Sequence, residues 1–179
     1  MELCAMFVVL LFAGHETTTN LIGTGLLSLL QHRDQWDLLC AEPDLMRPAV
    51  EELVRYVSPV QYLGRHMVAP VEIEGIRLEA GDSVLLMIAA ANRDPEVFDD
   101  PDRLNIRREG GQFHLGFGMG AHVCLGSHLA RMEAVSAFRA LSARYPDLSL
   151  ARVDLAWRGN AKLRSLAALP VHLGAARTA

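Results

Sequence analysis

A chain of 179 residues is long enough for one sizeable domain, which would bury roughly 70% of the surface that its unfolded form exposes. Apolar residues make up 51% of the chain and charged residues 21%, a composition that excludes a disordered or collagen-like protein. Lys and Arg total 17 against 21 Asp and Glu, and the net charge of −4 argues against a nucleic-acid or anionic-membrane partner. We therefore expect a single packed domain over residues 1–179.

The chain begins with an apolar run at residues 3–13. Glu2 precedes this run, where a signal peptide would carry Lys or Arg. The run is also shorter than the roughly 20 residues that a helix needs to cross a bilayer. We interpret it as the buried start of a long helix that continues through Gly14 to about Leu30, although Thr17, Thr18 and Thr19 are poor helix formers. In the alternative, the helix ends at Gly14 and restarts with a Thr cap. A helix that is apolar on all sides must be covered by protein, so we expect that polypeptide is missing in front of it.

The next part of the chain predicts two helices followed by strands. A short helix is expected around Trp36, and a second over residues 49–57 should stop before Ser58-Pro59. Alternating apolar and charged residues over 71–78 predict a hairpin with one solvated face, and a third strand is expected over residues 83–88.

The remaining elements are an irregular stretch, a loop, a helix and short strands. Residues 92–112 are rich in Asp, Arg, Pro and Gly, which is typical of a functional or disordered segment. A glycine-rich loop precedes a helix that begins near Leu125 and ends before Pro146. Short strands are predicted over residues 148–155 and 169–173. The fold class is therefore α+β and mainly helical.

The three cysteines, Cys4, Cys40 and Cys124, are widely separated and odd in number. Neither a disulfide framework nor a four-cysteine zinc site is predicted, and a reducing cytoplasm fits best. Cys124 follows closely spaced glycines, which permit positive φ angles and let a flat ligand approach the main chain. It is predicted at the start of a helix, where free N–H groups and the helix dipole favour a thiolate, a strong electron donor to iron. The alternative is a glycine-rich turn with a buried, inert cysteine.

The pattern F-G-x-G-x-H-x-C-x-G, which begins at Phe117, resembles the haem-binding loop of the cytochrome P450 family. The resemblance implies that Cys124 is the proximal ligand of the iron of haem b, iron protoporphyrin IX, and that its electron donation favours O–O cleavage. It also implies that His122 hydrogen-bonds a haem propionate, that Phe117 packs beside the thiolate and that Gly118 shapes the loop. Gly126 would let the following helix sit close to the porphyrin.

A second segment, A-G-H-E-T-T from Ala13, is similar to the A-G-x-[DE]-T-T motif of the helix that crosses the distal face of the haem in that family. By this resemblance Glu16 and Thr17 relay protons to bound oxygen, and Ala13 borders the substrate pocket. A hydroxyl that bonds back to the backbone would loosen the helix and open a groove for oxygen and water. A metalloprotease H-E-x-x-H site is excluded, because Thr19 stands where the second His would be.

A third motif pairs Glu52 with Arg55 on one helical face. Alone, an exposed pair of this kind is worth only ~0.2–0.5 kcal/mol. In the family the two residues join a third arginine in a structural ion network, and Arg103 matches that third member. Leu104 stands where the family usually has Phe.

The resemblance also assigns residues around the haem edge and the substrate. Arg65 matches the arginine that binds a haem propionate, and His114 is a further candidate propionate contact. Without the resemblance, Arg65 would be a surface charge. The residues expected on the substrate side are Val60, Gln61, Leu63 and parts of residues 163–166, although ordinary core residues give the same pattern.

Together the motifs resemble a soluble, bacterial cytochrome P450, of which only the C-terminal portion is represented and the N-terminal half is absent. The implied function is a monooxygenase that inserts one atom of O₂ into a small organic substrate. Electrons would come from NAD(P)H through a ferredoxin- or flavodoxin-like partner. Arg131 is either a contact for an acidic electron donor or an exposed arginine without a role.

Three alternatives stay open. A peroxide-using haem-thiolate enzyme would keep Cys124 but usually lose the acid and alcohol pair, so Glu16 and Thr17 argue against it. A zinc module built on His122, Cys124 and His128 lacks a fourth ligand at useful spacing. A truncated, non-catalytic remnant of a cytochrome P450 would carry the same motifs.

Overall fold

Three helices that are distant in the sequence pack against one another and form the core. The computed structural model describes residues 2–177, and in it α1 (Glu2–Gln31), α3 (Met46–Val57) and α5 (Ser127–Arg144) contact one another pairwise. Most of the side chains that these helices bury are apolar, and burial of apolar surface is the main source of folding free energy. The largest of these side chains, together with those of neighbouring segments, include Leu29, Trp36, Leu53, Phe138 and Leu148.

The short helix α2 (Arg33–Ala41) joins the end of α5 to the rest of the core. The Arg33 guanidinium donates to the carbonyl oxygens of Pro146 and Leu148, and Trp36 Nε1 donates to the carbonyl of Pro146, all at 2.8 Å. A 3₁₀ turn (Pro43–Leu45) then leads into α3, which starts three residues earlier than predicted. Pro48 does not prevent this, because proline is tolerated in the first turn of a helix.

The strands form two-stranded antiparallel sheets. β1 (Leu63–His66) pairs with β4 (Ser83–Leu86), and β2 (Val71–Ile73) pairs with β3 (Ile76–Leu78). The β2–β3 hairpin is as predicted, and its turn at Glu74 and Gly75 has positive φ at both residues, which matches the twist of a hairpin. The prediction of one buried face is wrong, since nearly every side chain of the hairpin is exposed.

Two other strand predictions need correction. β4 stops at Leu86 because the short helix α4 (Ile88–Ala91) begins at Ile88. β1, the partner of β4, was not predicted. The strands near the end of the chain pair as β5 (Ser149–Leu150) and β6 (Val171–His172), and both are shorter than expected. Residues 92–112 are irregular as predicted, apart from a 3₁₀ turn (Gly111–Phe113) that ends just beyond them.

The first helix differs from its prediction in burial. α1 is continuous through Gly14, so the restart at a Thr cap is wrong. Every side chain from residue 2 to residue 15 is exposed, and Leu11 is 72% exposed, so the predicted burial of this segment is wrong within the described residues. By length and composition α1 could cross a bilayer, with a mean hydropathy of 1.3 over 18 residues. The core helices of soluble proteins can meet the same criterion of length and composition. α1 is also longer than the apolar run at its start.

Candidate functional site

An apolar cavity of about 470 Å³ lies between α1 and the loop before α5. It brings together residues from two separate motifs, because both Thr17 and Cys124 line its wall. The other predicted site residues on its wall are Ala13, Val60, Leu63, Phe117, Gly118 and Gly126. A cavity with mostly apolar walls and few polar groups is the usual form of a ligand site.

The wall formed by α1 is shaped by a hydroxyl that bonds to its own helix. Thr17 Oγ1 donates to the Ala13 carbonyl at 2.7 Å, one turn earlier, as the sequence predicted for a hydroxyl in this motif. Glu16 is half-buried and does not line the cavity. Of the predicted acid and alcohol pair, the structure therefore places only the alcohol on the cavity wall.

The opposite wall is a loop held by its own backbone hydrogen bonds. The Cys124 amide donates to the Phe117 carbonyl at 2.8 Å, and the Gly118 amide donates to the Leu115 carbonyl at 2.8 Å. Gly118 and Gly120 have φ angles of 72° and 75°, a left-handed conformation that favours glycine. The loop thereby returns Cys124 to the cavity wall.

The structure corrects the predicted position of Cys124 relative to the helix and bears on the alternative of a buried cysteine. α5 begins at Ser127, so Cys124 lies before its first turn. Its one backbone hydrogen bond to the helix is through the Cys124 carbonyl, which accepts from the Ser127 amide at 3.2 Å. Cys124 is also exposed, so the alternative of a buried, inert cysteine is wrong.

The loop approaches α3 closely at Gly116. A Cβ atom at this position would lie 2.4 Å from Val54 Cγ1, a separation that requires one of the two segments to move. Asn92 holds the same segment from the other side, since its Oδ1 accepts from the Leu115 amide at 2.7 Å. Neither contact was anticipated from the sequence.

The ion pair of the third motif is buried and has a different third member from the one predicted. Arg55 donates two hydrogen bonds to the Glu52 carboxylate, at 2.8 and 2.9 Å. The second arginine on Glu52 is Arg108, whose Nε lies 3.1 Å from Oε2. The Arg103 side chain is exposed, and only its carbonyl takes part, accepting from Arg108 at 2.9 Å and Arg55 at 3.4 Å. Assigning Arg103 as the third arginine was therefore wrong.

A second ion cluster, not anticipated from the sequence, surrounds the neighbouring carboxylate. Glu51 accepts from Arg131 Nε at 2.6 Å and Nη2 at 2.9 Å, and its Oε2 lies 3.0 Å from His114 Nε2. Burial acts to raise the pKa of Glu51, but the hydrogen bonds from His114 and Arg131 and the charge of Arg131 outweigh it and lower that pKa to about 2. The adjacent acids Glu51 and Glu52 on α3 are the sequence signal available for this cluster.

This cluster corrects two expectations. Both ring nitrogens of His114 have partners within the protein and its side chain is only 1% exposed, so it does not fit a propionate contact. Arg131 is held by Glu51, so neither a free contact for an electron donor nor an arginine without a role describes it.

Other predicted residues lie away from the cavity wall. Arg65 and His122 are exposed, and Arg65 donates only to the adjacent Gly64 carbonyl. Gln61 lines a separate, polar cavity of about 360 Å³ and is not on the wall of the apolar one. Residues 163–166 do not line the apolar cavity either.

The donor set of the apolar cavity fits haem better than zinc. Cys124 offers one sulfur ligand beside glycines and apolar side chains, which suits a flat apolar ring with a single axial ligand from this side. Across residues 2–177, no three His, Cys, Asp or Glu side chains come together as metal ligands. The zinc alternative built on His122, Cys124 and His128 therefore has no site in the described part of the chain.

Comparison with known proteins gives consistent matches. Residues 1–141 match the family model described as Cytochrome P450. The chain is 48% identical over 173 residues to cytochrome P450 monooxygenase PikC of Streptomyces venezuelae, covering 95% of this chain and 41% of the relative. It is 46% identical over 178 residues to vitamin D(3) 25-hydroxylase of Pseudonocardia autotrophica, covering 97% and 43%.

Solved structures agree with these matches. P450BioI, in complex with an acyl carrier protein ligated to hexadec-9Z-enoic acid, superimposes with a TM-score of 0.90 at 45% identity, covering 93% of this chain and 43% of that one. The predicted mainly helical α+β architecture is thereby confirmed. The chain spans about two fifths of the length of the relatives it matches.

Proposed function

This chain belongs to the cytochrome P450 family, and from that membership we propose that it forms part of a haem-dependent monooxygenase. The enzyme would insert one oxygen atom from O₂ into a small organic substrate. The observation that carries the proposal is that Cys124 and Thr17, from two separate motifs, line one apolar cavity. Relatives of the chain include a monooxygenase and a hydroxylase.

The residues on the loop wall are those that would hold the cofactor. Cys124 would bind the iron of haem b as a thiolate, with Phe117, Gly118 and Gly126 beside it. Arg65 and His122 are exposed side chains, and from the family pattern we assign them to the two propionates. When bound, the haem would supply the activation of oxygen, and the protein would supply a thiolate ligand, a dry pocket and protons.

Protons would be delivered from the α1 wall. Because the Thr17 hydroxyl donates to the Ala13 carbonyl, its lone pairs are left to accept a hydrogen bond from water in the cavity. That water would carry the proton to the cavity, and Glu16, on the same helix, would supply the proton to it. The apolar residues Ala13, Val60 and Leu63 would exclude bulk water and contact the substrate.

Because the chain covers only about two fifths of the length of its relatives, we infer that further polypeptide belongs to the working enzyme. We assign the remaining pocket wall to polypeptide equivalent to the other three fifths of their length, which would also cover residues 3–12. Lipid is a poorer cover for this helix, since Glu16 near its middle would be costly in a bilayer. We place the enzyme in the cytoplasm, with NAD(P)H as the electron source through a ferredoxin- or flavodoxin-like partner.

The test uses the chain joined to the amino-terminal portion of a relative, called the complemented protein below. With ¹⁸O₂ and a ferredoxin-based electron supply, the product should carry one ¹⁸O atom. Thr17→Ala should keep substrate affinity but divert electrons into hydrogen peroxide, lowering product per electron pair roughly tenfold or more, because the hydroxyl that holds the proton-carrying water is lost. Thr19→Ala is the matched control, since Thr19 makes the same backbone bond at 2.7 Å but does not line the cavity.

Unchanged coupling in Thr17→Ala, or an equal loss in Thr19→Ala, would show that the threonines are structural. Product formed only from added peroxide would favour the peroxide-using alternative. A complemented protein that never retains haem would favour the non-catalytic remnant.

A further inference from the structure

Glu51 is the centre of a hydrogen-bonded cluster that reaches the loop of Cys124. It lies on α3 next to Glu52, but the two carboxylates serve different segments. Glu52 holds the irregular stretch through Arg108, whereas Glu51 holds α5 through Arg131 and the loop through His114. Both oxygens of Glu51 accept from Arg131, which makes the pair bidentate and fixes its geometry.

The hydrogen bonds of His114 indicate which of its ring nitrogens carries a hydrogen. The Gly116 amide donates to Nδ1 at 3.1 Å, so this nitrogen carries no hydrogen. The hydrogen therefore lies on Nε2, which donates to Glu51 Oε2 at 3.0 Å. His114 thus connects a carboxylate on α3 to the backbone of the loop, two residues from its own position.

Arg131 reaches the same loop through an aromatic ring. Its guanidinium lies 4.3 Å from the centre of the Phe117 ring, within the range of a cation–π contact. The His114 ring lies 5.7 Å from the same ring. The Phe117 carbonyl accepts a hydrogen bond from the Cys124 amide at 2.8 Å. Arg131 and His114 therefore contact the residue that orients Cys124.

We propose that Glu51, His114 and Arg131 form a positioning network that fixes Phe117 and, through it, the direction of the Cys124 sulfur toward the cavity. The role of that sulfur as iron ligand rests on the proposed function, but the ordering of the loop does not. None of the three residues lines the cavity, so they are positioning residues and not catalytic ones.

The network is tested first by amide hydrogen exchange on the complemented protein without haem. Glu51→Gln and Arg131→Met should speed exchange of residues 114–124 about tenfold to hundredfold, the factor expected when a hydrogen bond to a charged group is lost. Peptides from α2 should exchange at the parent rate, because among the described residues none of the cluster's hydrogen bonds involves α2. Arg131→Lys should recover part of the protection, since lysine keeps the charge but not the bidentate geometry.

Arg139→Met is the matched control. Arg139 is an exposed arginine further along α5, and among the described residues its side chain has no hydrogen-bond partner. Its substitution should leave the exchange of residues 114–124 unchanged.

The second measurement uses the haem-loaded complemented protein. In Glu51→Gln and Arg131→Met, a smaller fraction of the reduced carbon monoxide complex should show the red-shifted Soret band of thiolate ligation than in the parent or Arg139→Met. Parent-rate exchange of the loop in both network variants, or equal acceleration in α2, would overturn the proposal. If the parent itself lacks the red-shifted band, the proposed function fails, while the exchange result still decides whether the network orders the loop.

Discussion

Glu52 is almost completely buried, with 1% of its side chain exposed, and it accepts hydrogen bonds from two arginine side chains and one backbone amide. Arg55 and Arg108 supply the side-chain donors, and the Asn105 amide lies 2.9 Å from Oε1. A buried carboxylate without such partners would be very costly, so the two segments that supply them are held together at this point. This buried cluster connects α3 to the irregular stretch.

The choice between Arg103 and Arg108 gives a prediction at this scale. Arg108→Met should lower the free energy of unfolding by about 3–5 kcal/mol, because it removes one partner of a buried charge. Arg103→Met should change it by no more than about 0.5 kcal/mol, since that side chain is exposed. Denaturant unfolding of the haem-free complemented protein measures both. A larger loss in Arg103→Met than in Arg108→Met would show that the assignment by sequence position was right.

At the scale of elements, periodic segments were predictable and contacts between segments were not. The spacing of apolar residues located α1, α3 and α5 to within a few residues, and Gly75 located the hairpin turn. β1 escaped prediction because Leu63–His66 shows no alternation and its partner β4 begins only at Ser83. Burial of residues 3–12 was mispredicted, since apolar character alone does not say which segment covers a helix.

In the candidate site, too, local motifs were predictable and contacts between distant segments were not. The Cys124 loop and the Thr17 motif were identified from local patterns, and the structure brings both to one cavity. Arg108, Glu51 and the contact of Gly116 with Val54 could not be identified, because each depends on how a segment without periodicity folds back onto α3.

The close approach at Gly116 gives a prediction for how the loop packs on α3. Gly116→Ala should lower the free energy of unfolding by about 1–3 kcal/mol, because its Cβ would lie 2.4 Å from Val54 Cγ1. The added substitution Val54→Ala should recover part of that loss, giving a coupling energy of about 0.5 kcal/mol or more in a double-mutant cycle. Gly126→Ala is the control, since no atom lies within 4 Å of its Cβ position. Strict additivity of the two substitutions would contradict this packing.

At the scale of the whole molecule, the chain carries a large apolar surface and only part of a pocket. Leu3, Phe7, Val8 and Leu11 are all more than half exposed on α1. Contiguous apolar surface of this kind promotes association. Together with coverage of about two fifths of the relatives, it leads us to expect that the pocket works only within a longer assembly.

Expressed alone, these 179 residues should self-associate and retain haem weakly, because water reaches an incomplete pocket. Light scattering and the ratio of haem to protein after gel filtration measure the two effects. Val8→Glu with Leu11→Glu should reduce self-association without improving haem retention, whereas the amino-terminal portion of a relative, supplied in cis or in trans, should improve both. A monomer of the chain alone that held haem stoichiometrically and oxidised a substrate would contradict this account.

The central claim is that Cys124 binds the haem iron as a thiolate at the apolar cavity. Its most direct test is the absorption spectrum of the reduced carbon monoxide complex of the complemented protein, compared with Cys124→Ser and with Cys4→Ser and Cys40→Ser as controls. We predict the strongly red-shifted Soret band of thiolate ligation in the parent and both controls, and its loss in Cys124→Ser. An unchanged band in Cys124→Ser, or a band that disappears only when Cys4 or Cys40 is replaced, would contradict the claim.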